Sequence, residues 1–194
     1  MPPKIKITKE EIVRTAVDIL RESGVQAVNA RTVAAALNCS TQPVFSNFAT
    51  MDALREAVIL AVYNRYAAFI QSEVESGKYP RYKAFGMAYV RFAKEEKELF
   101  KLLFMRDRTG AEISVSPDFE ESVHMIMEAN GVTRETASRM HLEVWTCVHG
   151  IGTMLATSFL SLTWELISDM LTDVYQGIRA RHVSEETINE CHQD

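Results

Sequence analysis

Between Asn29 and Phe48 the chain has room for two short helices and a tight turn, and for little else. Asn29 offers a side-chain oxygen to the free N–H groups of a helix from Arg31 to Leu37. Asn38, Cys39 and Ser40 then form a turn, and Ser40 is placed to cap a second short helix from Thr41 to Asn47. Pro43 falls in the first turn of that helix, where its missing N–H has no intrahelical partner to lose. Val33, Ala34, Leu37, Val44 and Phe48 are spaced to meet as a small apolar core between the two. With a longer helix in front, this is the pattern of a helix-turn-helix.

The surrounding sequence predicts an all-α fold of about nine helices. Thr8 and Glu11 make a capping box, Ile12, Ala16, Ile19 and Leu20 share one face, and Gly24 ends the first helix. Thr50 caps a long fourth helix that runs to about Ser76 and stops at Gly77. Further helices are expected from Pro80, from about Glu95 to Met105, from Pro117 to Asn130, from Thr133 to about Leu160 and from about Thr163 to Arg181. Residues 106–116 read as a loop, and the tail from Ser184 as short or frayed. No run alternates with period two, and no internal repeat is present.

Composition narrows the function classes. Of 194 residues 47% are apolar and 24% charged, with a net charge of −5, which excludes global disorder. Cys39, Cys147 and Cys191 are odd in number and far apart, which argues against a disulfide scaffold and for a reducing compartment. The N-terminus, Met-Pro-Pro-Lys-Ile-Lys-Ile, lacks the apolar stretch of a secretory signal. Residues 1–55 carry seven lysines and arginines against five acidic residues, whereas the rest is acidic, as expected if only the head meets a polyanion. From Val144 to Trp164 there is no formal charge, but Thr, Ser, His and Gly interrupt the run and Glu143 and Glu165 flank it. That reads as a helix buried in the domain or between subunits, not one crossing a membrane.

The outward residues of the third helix are Thr41, Gln42, Ser46 and Asn47. Gln and Asn can present donor and acceptor together to adenine, and Ser and Thr suit most base edges. The plainer reading is a helical hairpin with a polar outer face.

The stretch Arg31-Thr-Val-Ala-Ala-Ala-Leu-Asn-Cys-Ser-Thr-Gln-Pro-Val-Phe-Ser-Asn-Phe48, followed by Met51-Asp-Ala-Leu54, resembles the DNA-binding head of the tetracycline-repressor-like (TetR) family of bacterial regulators. The likeness covers about residues 8–60. Ala88-Tyr-Val-Arg-Phe-Ala93 and Trp145-x-x-x-His149-Gly150 are similar to segments of one branch of that family. Two positions depart from its pattern. Phe45 stands where a Tyr is usual and loses a hydroxyl, and Met51 stands where a Lys is usual and loses a phosphate contact.

The resemblance implies a DNA-binding domain over 1–55, with its connecting helix reaching about 76, and a ligand-binding and dimerisation domain over 56–194. Arg31 would reach a base edge or phosphate, Thr41, Gln42, Ser46 and Asn47 would face bases, and Phe45 and Thr50 would touch the backbone. Thr32 and Pro43 belong to the same set, and Lys4 and Lys6, with Lys9, would add charge from the N-terminal arm.

A homodimer through the last two long helices is implied as well. Its expected interface is Leu155, Phe159, Leu166, Met170, Val174, Tyr175 and Ile178, the last five from an apolar stripe on the final helix that also holds Ile167 and Leu171. An intramolecular core is the alternative for that stripe. A cavity for a small apolar effector is expected at Phe85, Met87, Phe92, Phe104, Met105, Met125, Trp145, His149 and Gly152, each of which also suits ordinary core packing. Gly150 and Gly152 weaken a long helix by roughly 1 kcal/mol each relative to Ala, so close approach or ligand space is expected there.

No catalytic, metal or cofactor site is expected. Cys147 and His149 point to different sides of a helix, and neither His124 with Glu128 nor Cys191 with His192 has metal-site spacing. There is no Gly-rich phosphate loop. The expected function is a cytoplasmic, ligand-responsive regulator, a repressor, that binds a palindromic double-stranded DNA operator as a homodimer. The alternative is an all-α dimeric small-molecule-binding or protein-interaction module without operator function.

Overall fold

The computed structural model describes residues 7–106 and 117–191, with side chains for 7–106 and 118–184. All regular structure among them is helical: α1 (Lys9–Ser23), a 3-10 turn (Val25–Ala27), α2 (Ala30–Ala36), α3 (Gln42–Asn47), α4 (Met51–Glu75), α5 (Arg81–Glu95), α6 (Lys97–Phe104), α7 (Pro117–Asn130), α8 (Arg134–Ala156) and α9 (Trp164–Cys191). The chain forms two compact units, one of residues 1–68 with 95–106, the other of 69–94 with 107–194. Helix α4 contributes residues to both. The expected loop 106–116 lies, apart from Arg106, outside the described residues.

In the first unit α1 begins as its capping box requires: Thr8 Oγ1 accepts from Glu11 N at 3.1 Å and Glu11 Oε2 accepts from Thr8 N at 2.8 Å. Ile12, Ala16 and Leu20 of α1, Val33 of α2, Val44 of α3, Leu54 and Val62 of α4, and Leu99 and Phe100 of α6 are buried together as its core. Helix α6 therefore belongs with the head, although its sequence position placed it in the domain after residue 55. The reason is partly ionic. Glu96, at its N-terminal edge, is buried and takes Arg21 of α1 and Arg65 of α4 on its two oxygens.

In the second unit Val123 and Ile126 of α7, Ala137 and Met140 of α8, and Val132 in the turn between them form a buried cluster, with Tyr175 and Ile178 of α9 packed on it. Helix α5 turns Ala84, Met87, Ala88, Val90 and Phe92 inward. Gly86 lets α5 come close: a Cβ there would lie 3.3 Å from Leu171 and 3.6 Å from Val148.

Two boundaries differ from expectation. Helix α8 stops at Ala156, not Leu160, because Thr157 bonds back to Thr153 and Ser158 turns left-handed at φ 59°. Helix α9 continues to Cys191, since the Ser184 hydroxyl donates to Ala180 O inside the helix and starts no new cap.

Candidate nucleic-acid interface

The entry to α2 is fixed by a reciprocal cap. Asn29 Oδ1 accepts from Arg31 N at 3.0 Å and from Thr32 N at 3.1 Å, while Thr32 Oγ1 accepts from Asn29 N at 3.2 Å. The Thr32 hydroxyl also donates to Ala27 O at 2.6 Å. That hydroxyl serves the local fold. Arg31, next to it, is exposed and has no ion-pair partner among the described residues.

The turn passes through Asn38 in the left-handed region, φ 51°, and Cys39 N donates to Ala34 O at 2.9 Å. Ser40 does not cap α3. The N-cap is Thr41, already in helical conformation and without a side-chain bond, and its carbonyl accepts from Phe45 N at 3.2 Å. Val44 and Phe48 are buried, so α3 is rolled with Gln42, Phe45 and Ser46 exposed and Thr41 and Pro43 half-buried. The Phe45 ring is 49% exposed. Thr50 Oγ1 accepts from Ala53 N at 3.1 Å and caps α4, and the residue stays exposed.

Asn47, also expected to face bases, bonds within its own unit. Its Nδ2 donates to Pro43 O at 2.8 Å and to Ile7 O at 3.4 Å, and the residue is half-buried. Lys9 lies over the Phe48 ring, 4.9 Å from its centroid. Lys4 and Lys6 fall outside the described residues.

The expected effector lining does not converge. Phe104 belongs to the first unit, where it meets Tyr66 and Phe100 edge-on or tilted at 5.2 and 5.1 Å, and Met105 follows it there, exposed. Met87, Phe92 and Gly152 are buried in the second unit, and Phe85 and Met125 are half-buried. Trp145 and His149 do form a constellation. Their rings stack at 5.0 Å, Trp145 is 40% exposed, and His149 Nδ1 lies 2.7 Å from the Tyr89 hydroxyl. Burial lowers the His149 pKa and keeps the ring neutral. A parallel pair, Tyr82 with His141 at 3.0 Å, escaped the sequence, since its members are far apart in the chain. Burial pushes His141 down to about 4. A groove of about 470 Å³ lies in the first unit, between α1 and α4 over Val13, Val17 and Ala61, and none of the expected effector residues lines it.

The expected interface residues split by burial. Leu155 is buried within its own chain, Tyr175 and Ile178 pack on the α7–α8 cluster, and Met170 and Val174 are half-buried. Phe159 and Leu166 are 76% and 48% exposed. Leu142 and Leu160, which the sequence reading passed over, are exposed too. Periodicity marked a stripe but could not say which edge of it the chain itself covers. Among the described residues no group of three or more His, Cys, Asp or Glu is arranged to hold a metal, and no helix is long and apolar enough to cross a membrane.

Along almost its whole length the chain is similar to solved structures. A protein of unknown function from Rhodococcus sp. RHA1 superposes with a TM-score of 0.70 at 21% identity, over 93% of this chain and 98% of that one. A TetR-like transcriptional regulator from Rhodococcus sp. RHA1 gives a TM-score of 0.62 at 13% identity, over 95% and 98%. These likenesses establish an all-helical, TetR-like fold. No protein-family model and no curated protein matches the chain.

Proposed function

We propose that this chain is a cytoplasmic, DNA-binding transcriptional repressor that acts as a homodimer and is released by a small apolar effector. The carrying observation is the outer face of α3: Gln42, Phe45 and Ser46 stand in solvent over a buried Val44, with Arg31 exposed on α2. Gln42 has donor and acceptor for a base edge, and Arg31 has a fork for guanine or phosphate. The exposed Phe45 ring has no role in the unit's own core, which favours a surface that meets a partner.

Exposed Leu142, Trp145, Phe159, Leu160 and Leu166 support self-association through α8, α9 and the turn between them. Two heads one duplex turn apart, ~34–36 Å, would then read a palindrome. An effector close to Trp145, His149 and Tyr89 would bias one head spacing over another, and the operator must oppose the effector by the same factor.

The experiment is selection of duplexes from a random pool by the full chain, with binding to the region beside its own coding sequence as a second arm. An enriched palindrome, and affinity falling steeply with salt, are expected. Gln42→Ala should relax preference at one base position by ~1–3 kcal/mol. No enrichment over random sequence would overturn operator binding and leave the small-molecule-binding module.

A further inference from the structure

Phe45 puts an apolar ring on a face of α3 that is otherwise polar. Val44 and Phe48 are buried and fix the roll of the helix, and Gln42 and Ser46 are exposed beside the ring. The backbone holds this roll: Phe45 N donates to Thr41 O at 3.2 Å and Phe48 N to Val44 O at 2.9 Å. The Phe45 side chain is 49% exposed, and among the described residues its ring meets no other ring and no cation. Gln42 and Phe45 are three residues apart and so are neighbours on the helix surface.

Resting on the operator reading above, we propose that Phe45 reads the 5-methyl group of a thymine in the major groove. The chemistry of the alternatives decides between them. A phosphate oxygen needs a donor, and the phenyl ring has none to offer and turns a negative face towards it. The purine edges and the cytosine amino group are hydrogen-bonding groups, and a ring laid over them takes them from water without a partner. The thymine methyl is the one apolar substituent that a base pair shows in the major groove, and burying it against the ring gains free energy without any donor. Phe45 thus separates thymine from cytosine by a methyl group, while Gln42 reads a neighbouring base pair by hydrogen bonds.

The test uses the full chain and a duplex that the wild type has enriched from a random pool. Each thymine is replaced in turn by deoxyuridine, in one half-site at a time, which removes the methyl group and leaves every hydrogen-bonding group in place. At one thymine of the half-site the wild type should bind about fourfold more weakly, the value of one buried carbon group. Phe45→Ala and Phe45→Ser, checked for folding by circular dichroism melting, should bind the thymine and deoxyuridine duplexes equally at that position. Gln42→Ala should keep the fourfold preference for thymine there, because the two side chains read different base pairs.

A wild type that is indifferent to deoxyuridine at every position, or an enriched duplex without thymine in its half-sites, would overturn the proposal, and neither result depends on a variant folding. So would a preference for thymine that survives both Phe45 substitutions, since another residue would then touch the methyl group. Phe45 variants that lose affinity equally for both duplexes while keeping the preference would place the ring against the sugar–phosphate backbone, and overturn it as well. Failure of the wild type to enrich any duplex would instead overturn the operator reading itself.

Discussion

Arg65 on α4 donates to one oxygen of Glu96 from Nη2 at 2.6 Å and from Nε at 3.1 Å, while Arg21 on α1 donates to the other oxygen at 2.7 Å. The carboxylate is 2% exposed, but the two arginines are 44% and 50% exposed. One buried anion thus holds three helices, and the costs of breaking the cluster from its two sides are unequal.

Glu96→Gln should destabilise the fold by about 1–2 kcal/mol, because both arginines can turn to water. Replacing Arg21 and Arg65 together by Met should cost about 3–5 kcal/mol, since it strands a buried charge. Urea unfolding of the two variants measures the difference. An equal or inverted order would show that Glu96 reaches water in the folded chain.

Self-association through exposed apolar residues predicts that Leu166→Glu yields folded monomer. Losing the burial of this side chain in both copies costs ~3–6 kcal/mol, or about a hundredfold to ten-thousandfold weaker dimer. Leu155→Glu is the contrast: Leu155 is 3% exposed within its own chain, so its replacement should unfold the chain instead. Sedimentation velocity with circular dichroism separates the outcomes, and a Leu166→Glu chain that remains a tight dimer places the interface elsewhere.

His141 supplies a pH dependence. A free imidazole titrates near 6.5, whereas burial holds this ring at about 4, against Tyr82 and Phe119. Above about 6.5 both folded and unfolded chains hold it neutral. Between about 6.5 and about 4 only the unfolded chain takes the proton, so stability falls with pH through that window and levels off below it. The full contribution is at most about 3 kcal/mol. His141→Gln should flatten the fall without abolishing it, because His149 is shifted in the same direction. Urea midpoints between pH 7 and pH 4.5 give the slope, and identical slopes for variant and wild type would assign it to other groups.

Gly150 lies inside α8, and a Cβ there would meet nothing within 4 Å. Among the described residues of one chain no close approach offsets its helix cost. Gly150→Ala should raise resistance to unfolding by ~1 kcal/mol, read from the urea midpoint at low protein concentration. A lowered midpoint would mean that a second copy packs against the bare backbone.

The local chemistry of this chain was legible in its residues. Thr8 with Glu11, Asn29 before Arg31 and Thr133 before α8 each start a helix where their side chains reach free N–H groups. Such caps depend only on neighbours in sequence, as does the inward roll of Val33, Val44 and Phe48 that exposes Gln42 and Ser46. Tertiary structure decided what depended on partners far along the chain. Ile7 claimed the amide of Asn47, Glu96 drew α6 into the first unit, and Tyr82 and Tyr89 took up His141 and His149. The apolar stripe of α9 shows the division most clearly. Its period set which residues share a face, but only packing against α8 and the close approach of α5 at Gly86 determined that Ile167 and Leu171 are covered by the chain itself and Leu166 is left for water or a partner.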